Sequence, residues 1–445
     1  MNKRDFIKNA AALSTFVLLP SGLWSCKKEE KKLTRLRTAH IGVGNMGAED
    51  LKAISSHAKV DVTVLCDVDA NNLAAAKELH PNAKTYTDYR VMLKEMGDEI
   101  DAVVVSTPDH THAPASMMAM EMDKPVYCQK PLTHYVSEAR AMNIGKVHTV
   151  RAWSPKDWGY DGTEPTGSDP IPESLDWNLW LGTSAERPFK EGFYHPGNWR
   201  KLVDYGCGTL GDMGVHIFDT PYNALNLQVP KTIKNECREP NGFGFPQKNV
   251  VTYEFPQTEY TAETLKWVWY DGPGAPEDHE DLILPGAKST TSTEDTSKES
   301  MEDKMSLDTK EAGEGTLPDQ GAMFIGEKGR LLLPHFMQLP KKIVDGEYVD
   351  ISAEIEAVEK ANNMGKPIRN YDTEGPKHYH QFVDACLGTD KTTAPFSYAS
   401  RLTETILLGV IAGRFPNQVL HWDSENAKFA EEEANAFLEG DYRNF

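Results

Sequence analysis

The stretch from Thr38 to Asp67, TAHIGVGNMGAEDLKAISSHAKVDVTVLCD, constrains this chain more than any other. An apolar run ends in Gly42, Gly44 and Gly47, a helical pattern follows, and a second apolar run stops at Asp67. The spacing predicts a strand, a tight turn, a helix and a second strand with an acid at its tip. In such a unit the first glycine permits the turn, the second lets backbone approach a pyrophosphate, and the third lets helix pack close to strand. The helix N-terminus adds unpaired N–H groups and the positive end of a dipole. Gly42, Gly44, Asn45, Met46 and Gly47 are therefore expected to bind a dinucleotide. Asp67 would accept from its ribose hydroxyls and repel a 2′-phosphate, which favours NAD over NADP. A glycine turn with a capping aspartate and no ligand is the plain alternative.

Residues 34–144 continue as alternating strand and helix patterns, so a parallel sheet is expected. Strands are placed at Arg37–Val43, Val60–Cys66, Lys84–Tyr86, Ala102–Ser106 and Pro125–Cys128. Helices are placed at Ala48–Ser56, Ala70–Leu79, Tyr89–Met96 and His112–Met122. Residues 145–445 read as an α+β unit with a mostly antiparallel sheet, opened by the alternating run KVHTVRAW. An acidic, serine- and threonine-rich tract at 286–315 interrupts it and is expected to be a disordered surface insertion. Helices return from residue 375, and the acidic end EEEANAFLEGDYRNF is expected to pack weakly.

Residues 1–26 read as an export signal: Lys3, Arg4 and Lys8, then an apolar run too short to span a membrane, then Ser25-Cys26. A small residue before a cysteine resembles a bacterial lipoprotein signal, with Cys26 lipidated. Residues 27–33 would be a solvated tether. The expected location is the periplasm or the outer membrane, anchored by lipid alone; an uncleaved start would leave the chain cytoplasmic. The net charge of −20 argues against nucleic acid and against docking on anionic lipid. None of the six cysteines forms a CxxC pair, which speaks against a zinc knuckle or a disulfide framework.

Four further groups carry chemistry. Thr107 and Pro108 end a strand at the edge where ligands sit, and His110 and His112 follow; cofactor contacts and helix capping are favoured there over a metal. Gln129 and Lys130 end the next strand, where a lysine beside a nicotinamide positions a hydroxyl and helps move its proton. In LGDMGVHIFD, Asp212 and His216 share a helical face, with Asp219 and Tyr222 one turn on. A histidine oriented by a carboxylate suits acid–base work on a sugar hydroxyl; a metal pair or a purely stabilising buried pair are the alternatives. Tyr194, His195, Asn198, Trp199 and Arg200 offer rings and forked donors to a carbohydrate, or form ordinary core and caps.

Together GVGNMG, CDVD, STPDHTH, QKPL and LGDMGVHIFD resemble the Gfo/Idh/MocA family (glucose–fructose oxidoreductase, inositol dehydrogenase). The resemblance implies a Rossmann domain, a sheet domain that faces substrate and forms homo-oligomers, and NAD(P)-linked oxidation or reduction of sugars and cyclitols. By position it makes Lys130, Asp212 and His216 the catalytic residues. Gln129 stands where the family has glutamate. Between Pro131 and Val147 the family has a further α/β unit, and this chain is too short to hold one. The strand before Lys130 is then expected to be an edge, with part of the apolar sheet uncovered.

The reaction expected is oxidation of a ring carbon of a sugar or glycoside, with His216 and Lys130 taking the hydroxyl proton. An exported enzyme has no NAD pool to draw on, so the cofactor should stay bound and the hydride return in the same cycle. Epimerisation, elimination or glycoside cleavage through a keto-sugar follow from that. A catalytically impaired sugar- or nucleotide-binding lipoprotein is the rival from another class.

Overall fold

The computed structural model describes residues 33–130, 147–287, 315–335, 340–351 and 371–444. The expected export signal with Cys26, the stretch 131–146 where a missing α/β unit is expected, and nearly all of the acidic tract 286–315 lie outside the described residues.

Five parallel strands, β1 (Leu36–Ile41), β2 (Val60–Cys66), β3 (Lys84–Tyr86), β4 (Ala102–Val105) and β5 (Val126–Cys128), form one sheet in the order β3-β2-β1-β4-β5. The run Ala102-Val103-Val104-Val105 is buried at every position, as a strand covered on both faces requires. Helices α1 (Met46–Ser55), α2 (Ala70–Leu79), α3 (Tyr89–Met96) and α4 (Asp109–Met120) connect the strands. Asp69 and Asp88 cap α2 and α3 through side-chain bonds to Asn71 N–H and Arg90 N–H. Two helices start earlier than the sequence pattern suggests. Asn45 adopts a positive φ of 47° and launches α1 from inside the glycine turn. α4 begins at Asp109 rather than His112, because Pro108 holds φ near −58° and an acid in the first turn suits the helix dipole.

Among the described residues the second sheet has ten strands: β6 (Val147–Ser154), β7 (Thr232–Glu236), β8 (Asn249–Pro256), β9 (Thr261–Asp271), β10 (Gly321–Gly326), β11 (Gly329–Pro334), β12 (Lys341–Val344), β13 (Glu347–Val349), β14 (Val419–Asp423) and β15 (Lys428–Phe429). Their order is β13-β12-β11-β10-β6-β9-β8-β7-β14-β15, with β6 and β9 parallel and the other pairs antiparallel. After the short helix α5 (Trp177–Leu181), the long helix α6 (Gly208–Ala224) lies on this sheet beside a later helix, Phe396–Ala412. Leu210, Ile217 and Phe218 of α6 pack there with Trp267, Trp269, Ile406 and Leu407.

One expectation is corrected in part and another is overturned. β5 is an edge among the described residues, yet its face is not bare. Helix α7 (Tyr371–Cys386) returns from the second half of the chain and lays Tyr379, Phe382 and Val383 over Leu36, Ile54, Val104 and Tyr127. The Tyr127 ring sits 5.8 Å from Tyr379 and 5.6 Å from Phe382. Each such buried ring contributes roughly 1.5–3 kcal/mol. The acidic C-terminal segment is also anchored. Arg443 donates to Asn178 Oδ1 at 2.7 Å, to Ser184 O at 3.0 Å and to Gly182 O at 3.1 Å, and Ala434 is fully buried.

Candidate active site

The glycine turn has the form its spacing requires. Gly42 has φ 81°, and a Cβ there would stand 2.5 Å from Ser106 O. A Cβ on Gly47 would overlap the Gly42 carbonyl, so the helix can approach the strand only without one. At the far end Asp67 accepts from Val43 N–H at 2.8 Å and from Asp69 N–H at 2.9 Å. Burial raises the Asp67 carboxyl above its usual range, opposed by those backbone bonds and by one from Asn72. Thr107 lines the same cleft, and its buried hydroxyl has no partner among the described residues. A cradle that only glycine backbone allows, an unpartnered hydroxyl in its wall and a carboxylate at its end fit a dinucleotide.

A strap from the segment that follows β6 lines this cleft. Ala70 N–H donates to Ser174 O at 2.7 Å and Asp176 N–H to Val68 O at 3.0 Å, so the strap is stitched to the strand end that carries Asp67. His195 Nε2 lies 3.4 Å from Asp69 Oδ2. The strap is stiffened by an aromatic cluster in which Trp177 and Trp180 stack at 4.7 Å and contact Tyr194. Tyr194 is 1% exposed in that cluster. Asn198 turns back to donate to Gly192 O at 2.7 Å. Neither lines the cleft; His195, Trp199 and Arg200 do. His110 donates to Trp180 O at 3.4 Å and packs edge-on against Tyr205, and His112 donates to Thr107 O at 2.6 Å. Both imidazoles are buried and tie the strand end to its surroundings.

The strand-end pair Gln129 and Lys130 sits where this cleft meets a second cavity of about 530 Å³. Gln129 Nε2 donates to both oxygens of Asp50, at 3.0 and 3.2 Å. Asp50 is fully buried and also accepts from Ser106 Oγ at 2.6 Å. A glutamate at position 129 would set two carboxylates against each other, whereas the amide donates. This accounts for the departure from the family's usual residue.

Lys130 Nζ is 2.8 Å from Asp212 Oδ1, and Arg200 Nε lies 3.2 Å from the same oxygen. The guanidinium of Arg200 is held over the Trp199 ring at 4.3 Å. Burial alone would raise the Asp212 carboxyl; Lys130 and then Arg200 hold it well below the usual carboxylate range. One turn on, burial and the Lys130 ammonium push the His216 imidazole down to about 3. His216 is therefore neutral at pH 7, and it lines the second cavity. The three residues expected to act together come from two separate elements and meet here.

Several residues of the site were not singled out beforehand. Asp109, 5% exposed, faces Arg200, Lys130 and Asp212, and burial pushes its carboxyl up to about 7. The Cys207 thiol bonds to it. Asp50 and Asp109 share a signal that could have been read, a carboxylate on the apolar face of a helix. Asn72 lies over Gly44 and left no such trace.

Residues 36–144 match the family model described as the Gfo/Idh/MocA oxidoreductase family, NAD-binding Rossmann fold. Residues 141–240 match the C-terminal α/β domain of the same family. An uncharacterized oxidoreductase of Schizosaccharomyces pombe is 26% identical over 210 residues, 46% of this chain and 55% of that protein. Inositol 2-dehydrogenase of Corynebacterium glutamicum is 33% identical over 99 residues, 22% of this chain and 29% of that protein. A glycosyl hydrolase family 109 protein of Shewanella woodyi is 34% identical over 116 residues, 24% of each chain. The chain thus spans about half or less of the length of these relatives. The structure of levoglucosan dehydrogenase in complex with NADH and L-sorbose shares the fold, at TM-score 0.51 and 14% identity over 85% of this chain and 98% of that one. The two matches are to domains of one oxidoreductase family and together span residues 36–240.

Proposed function

We propose that this Gfo/Idh/MocA-type oxidoreductase oxidises a ring hydroxyl of a sugar, glycoside or cyclitol, keeps its NAD bound, and returns the hydride to the same substrate. The observation that carries the reading is the Lys130–Asp212–His216 group, placed where the dinucleotide cleft opens into the second cavity. NAD, when bound, supplies acceptance and return of the hydride. The glycine turn would hold its pyrophosphate and Asp67 its ribose hydroxyls, where the carboxylate would disfavour a 2′-phosphate. Lys130 faces the substrate hydroxyl and favours its alkoxide character. His216, neutral at pH 7, receives the proton, and ionised Asp212 steadies the imidazolium that forms.

Retention of the cofactor is supported by the strap. Its bonds to Val68 and Ala70 lie beside Asp67, and Arg443 pins its far side. A cofactor held in this cleft would be retained by those bonds, which join the strap to the strand end that carries Asp67. Export with lipidation at Cys26 belongs to the same proposal and explains why a bound cofactor is needed; cell fractionation and the mass of the mature N-terminus test it.

The match to glycosyl hydrolase family 109 proteins favours a second reading, in which the keto-sugar loses its glycosidic bond before the hydride returns. One experiment addresses both. Absorbance and mass analysis of the purified protein should show bound nicotinamide, and turnover of a glycoside panel should need no added NAD. His216→Ala should keep the cofactor and lose turnover. Cofactor-free protein that needs stoichiometric NAD refutes the proposal, and unchanged ligand binding with no turnover in the parent protein favours a binding lipoprotein.

A further inference from the structure

The second cavity carries an acid–base pair that oxidation of a hydroxyl does not use. On α6, Asp212, His216 and Asp219 share one face, since residues three, four and seven apart do so. Asp219 lies about 4.5 Å further along the axis than His216, at about 1.5 Å per residue. It lines the cavity and is open to it. Helix α8 (Phe396–Ala412) brings Tyr398 to the same wall, and its hydroxyl donates to Asp219 Oδ1 at 2.5 Å. The flanking walls raise the Asp219 carboxyl, with the Tyr398 bond opposing, and burial followed by Asp219 raises the Tyr398 phenol. His378 of α7 closes the wall as a neutral imidazole, lowered by burial.

We propose that Asp219 and Tyr398 are a second catalytic pair, which moves a proton from the carbon next to the oxidised one to the departing glycosidic oxygen. The inference rests on the keto-sugar reading above and assigns the substrate class as a glycoside with its leaving group two carbons from the carbonyl. Once the ring carbon is a carbonyl, its neighbouring C–H is acidic. Asp219 takes that proton, and the C–H electron pair forms a C=C bond. The C–O bond beyond breaks, and its electron pair leaves with the glycosidic oxygen. That oxygen takes the Tyr398 hydroxyl proton, and the phenolate recovers a proton from Asp219 across their hydrogen bond. The pair ends as it began. Water then adds to the unsaturated ketone by the reverse path. The cavity wall thus divides the work, with His216 and Lys130 acting at one ring carbon and Asp219 at its neighbour.

The test uses Asp219→Asn and Tyr398→Phe in the full-length protein, with methyl and 4-nitrophenyl glycosides in D2O. Three quantities are read: NAD content, reduction of the bound nicotinamide on mixing, and deuterium at the carbon adjacent to the oxidised one. Both variants should retain NAD and reduce it within about threefold of the parent rate. Deuterium incorporation and aglycone release should fall by about 100-fold or more, the usual contribution of a positioned acid or base. Unchanged incorporation would make the pair a mere strut between α6 and α8 and overturn the proposal. Equal loss of nicotinamide reduction and of incorporation, with NAD retained, would assign Asp219 to the first step and also overturn it. A parent protein whose bound NAD no glycoside reduces refutes the function reading itself and this inference with it.

Discussion

Replacing Gln129 by glutamate tests the buried contact that explains an unusual strand end. In the native protein the Gln129 amide donates to Asp50 at 3.0 and 3.2 Å, and Asp50 is 0% exposed. Burial already raises the Asp50 carboxyl, with Ser106 and then Gln129 opposing. Two ionised carboxylates about 3 Å apart would repel by roughly 5 kcal/mol at an effective dielectric of 20. Keeping one of them protonated is cheaper: from a reference near 4 it costs about 4 kcal/mol at pH 7. The new carboxyl–carboxylate bond recovers about 1 kcal/mol. Gln129→Glu should therefore lose about 3 kcal/mol at pH 7, or roughly 6–12 °C in Tm for a domain of this size. The sign of the pH dependence follows from the raised pKa. The extra proton stays bound in the folded state, so the deficit is small near pH 4–5 and grows by about 1.4 kcal/mol per unit as pH rises. Adding Asp50→Asn exchanges donor and acceptor and should restore most of the loss. Differential scanning calorimetry of the parent, the Gln129→Glu variant and the double variant at pH 5, 6, 7 and 8 measures this. A Gln129→Glu protein as stable as its parent at pH 8, or a deficit independent of pH, refutes the reasoning.

Asp109 makes a second pH prediction. Its folded-state carboxyl titrates near 7, far above an unfolded aspartate, so the stability it confers is full below about pH 4 and is lost as pH rises toward 7. Asp109→Asn should flatten the fall of Tm between pH 4.5 and 6.5, by at most about 1.4 kcal/mol per unit; parallel curves would contradict the assignment. Gly47→Ala forces a methyl into the Gly42 carbonyl and should cost about 1–3 kcal/mol, with bound nicotinamide lost on purification. Asp69→Ala removes the cap on Asn71 N–H and the His195 contact. Its capping loss is about 1 kcal/mol, and exchange of bound NAD for isotopically labelled NAD should quicken; unchanged exchange would mean the strap is held by its backbone bonds alone.

The parts of the site that were legible in the sequence are those written over short spans. The glycine turn, the acid at the tip of β2 and the Asp212–His216 pair each fall within one turn or one strand–helix unit, where spacing fixes geometry. Lys130 could be placed at a strand end for the same reason. The aromatic residues near 194–200 were identified as a group, but only burial separated them. Trp199 and Arg200 reach the cleft, Tyr194 serves the cluster that stiffens the strap, and Asn198 closes its own loop.

The chain by itself determined a dinucleotide cradle, a carboxylate at its ribose end and the residue types for moving a hydroxyl proton, because local backbone sterics and helical periodicity dictate them. Tertiary structure alone decided how these are completed. Lys130 meets Asp212 across 82 positions and Tyr398 meets Asp219 across 179. The strap reaches Val68 and Ala70 from more than a hundred residues away, and α7 covers β5 from still further. Such contacts follow from which faces two sheets leave to be buried, a property of the whole packed chain that no short window carries.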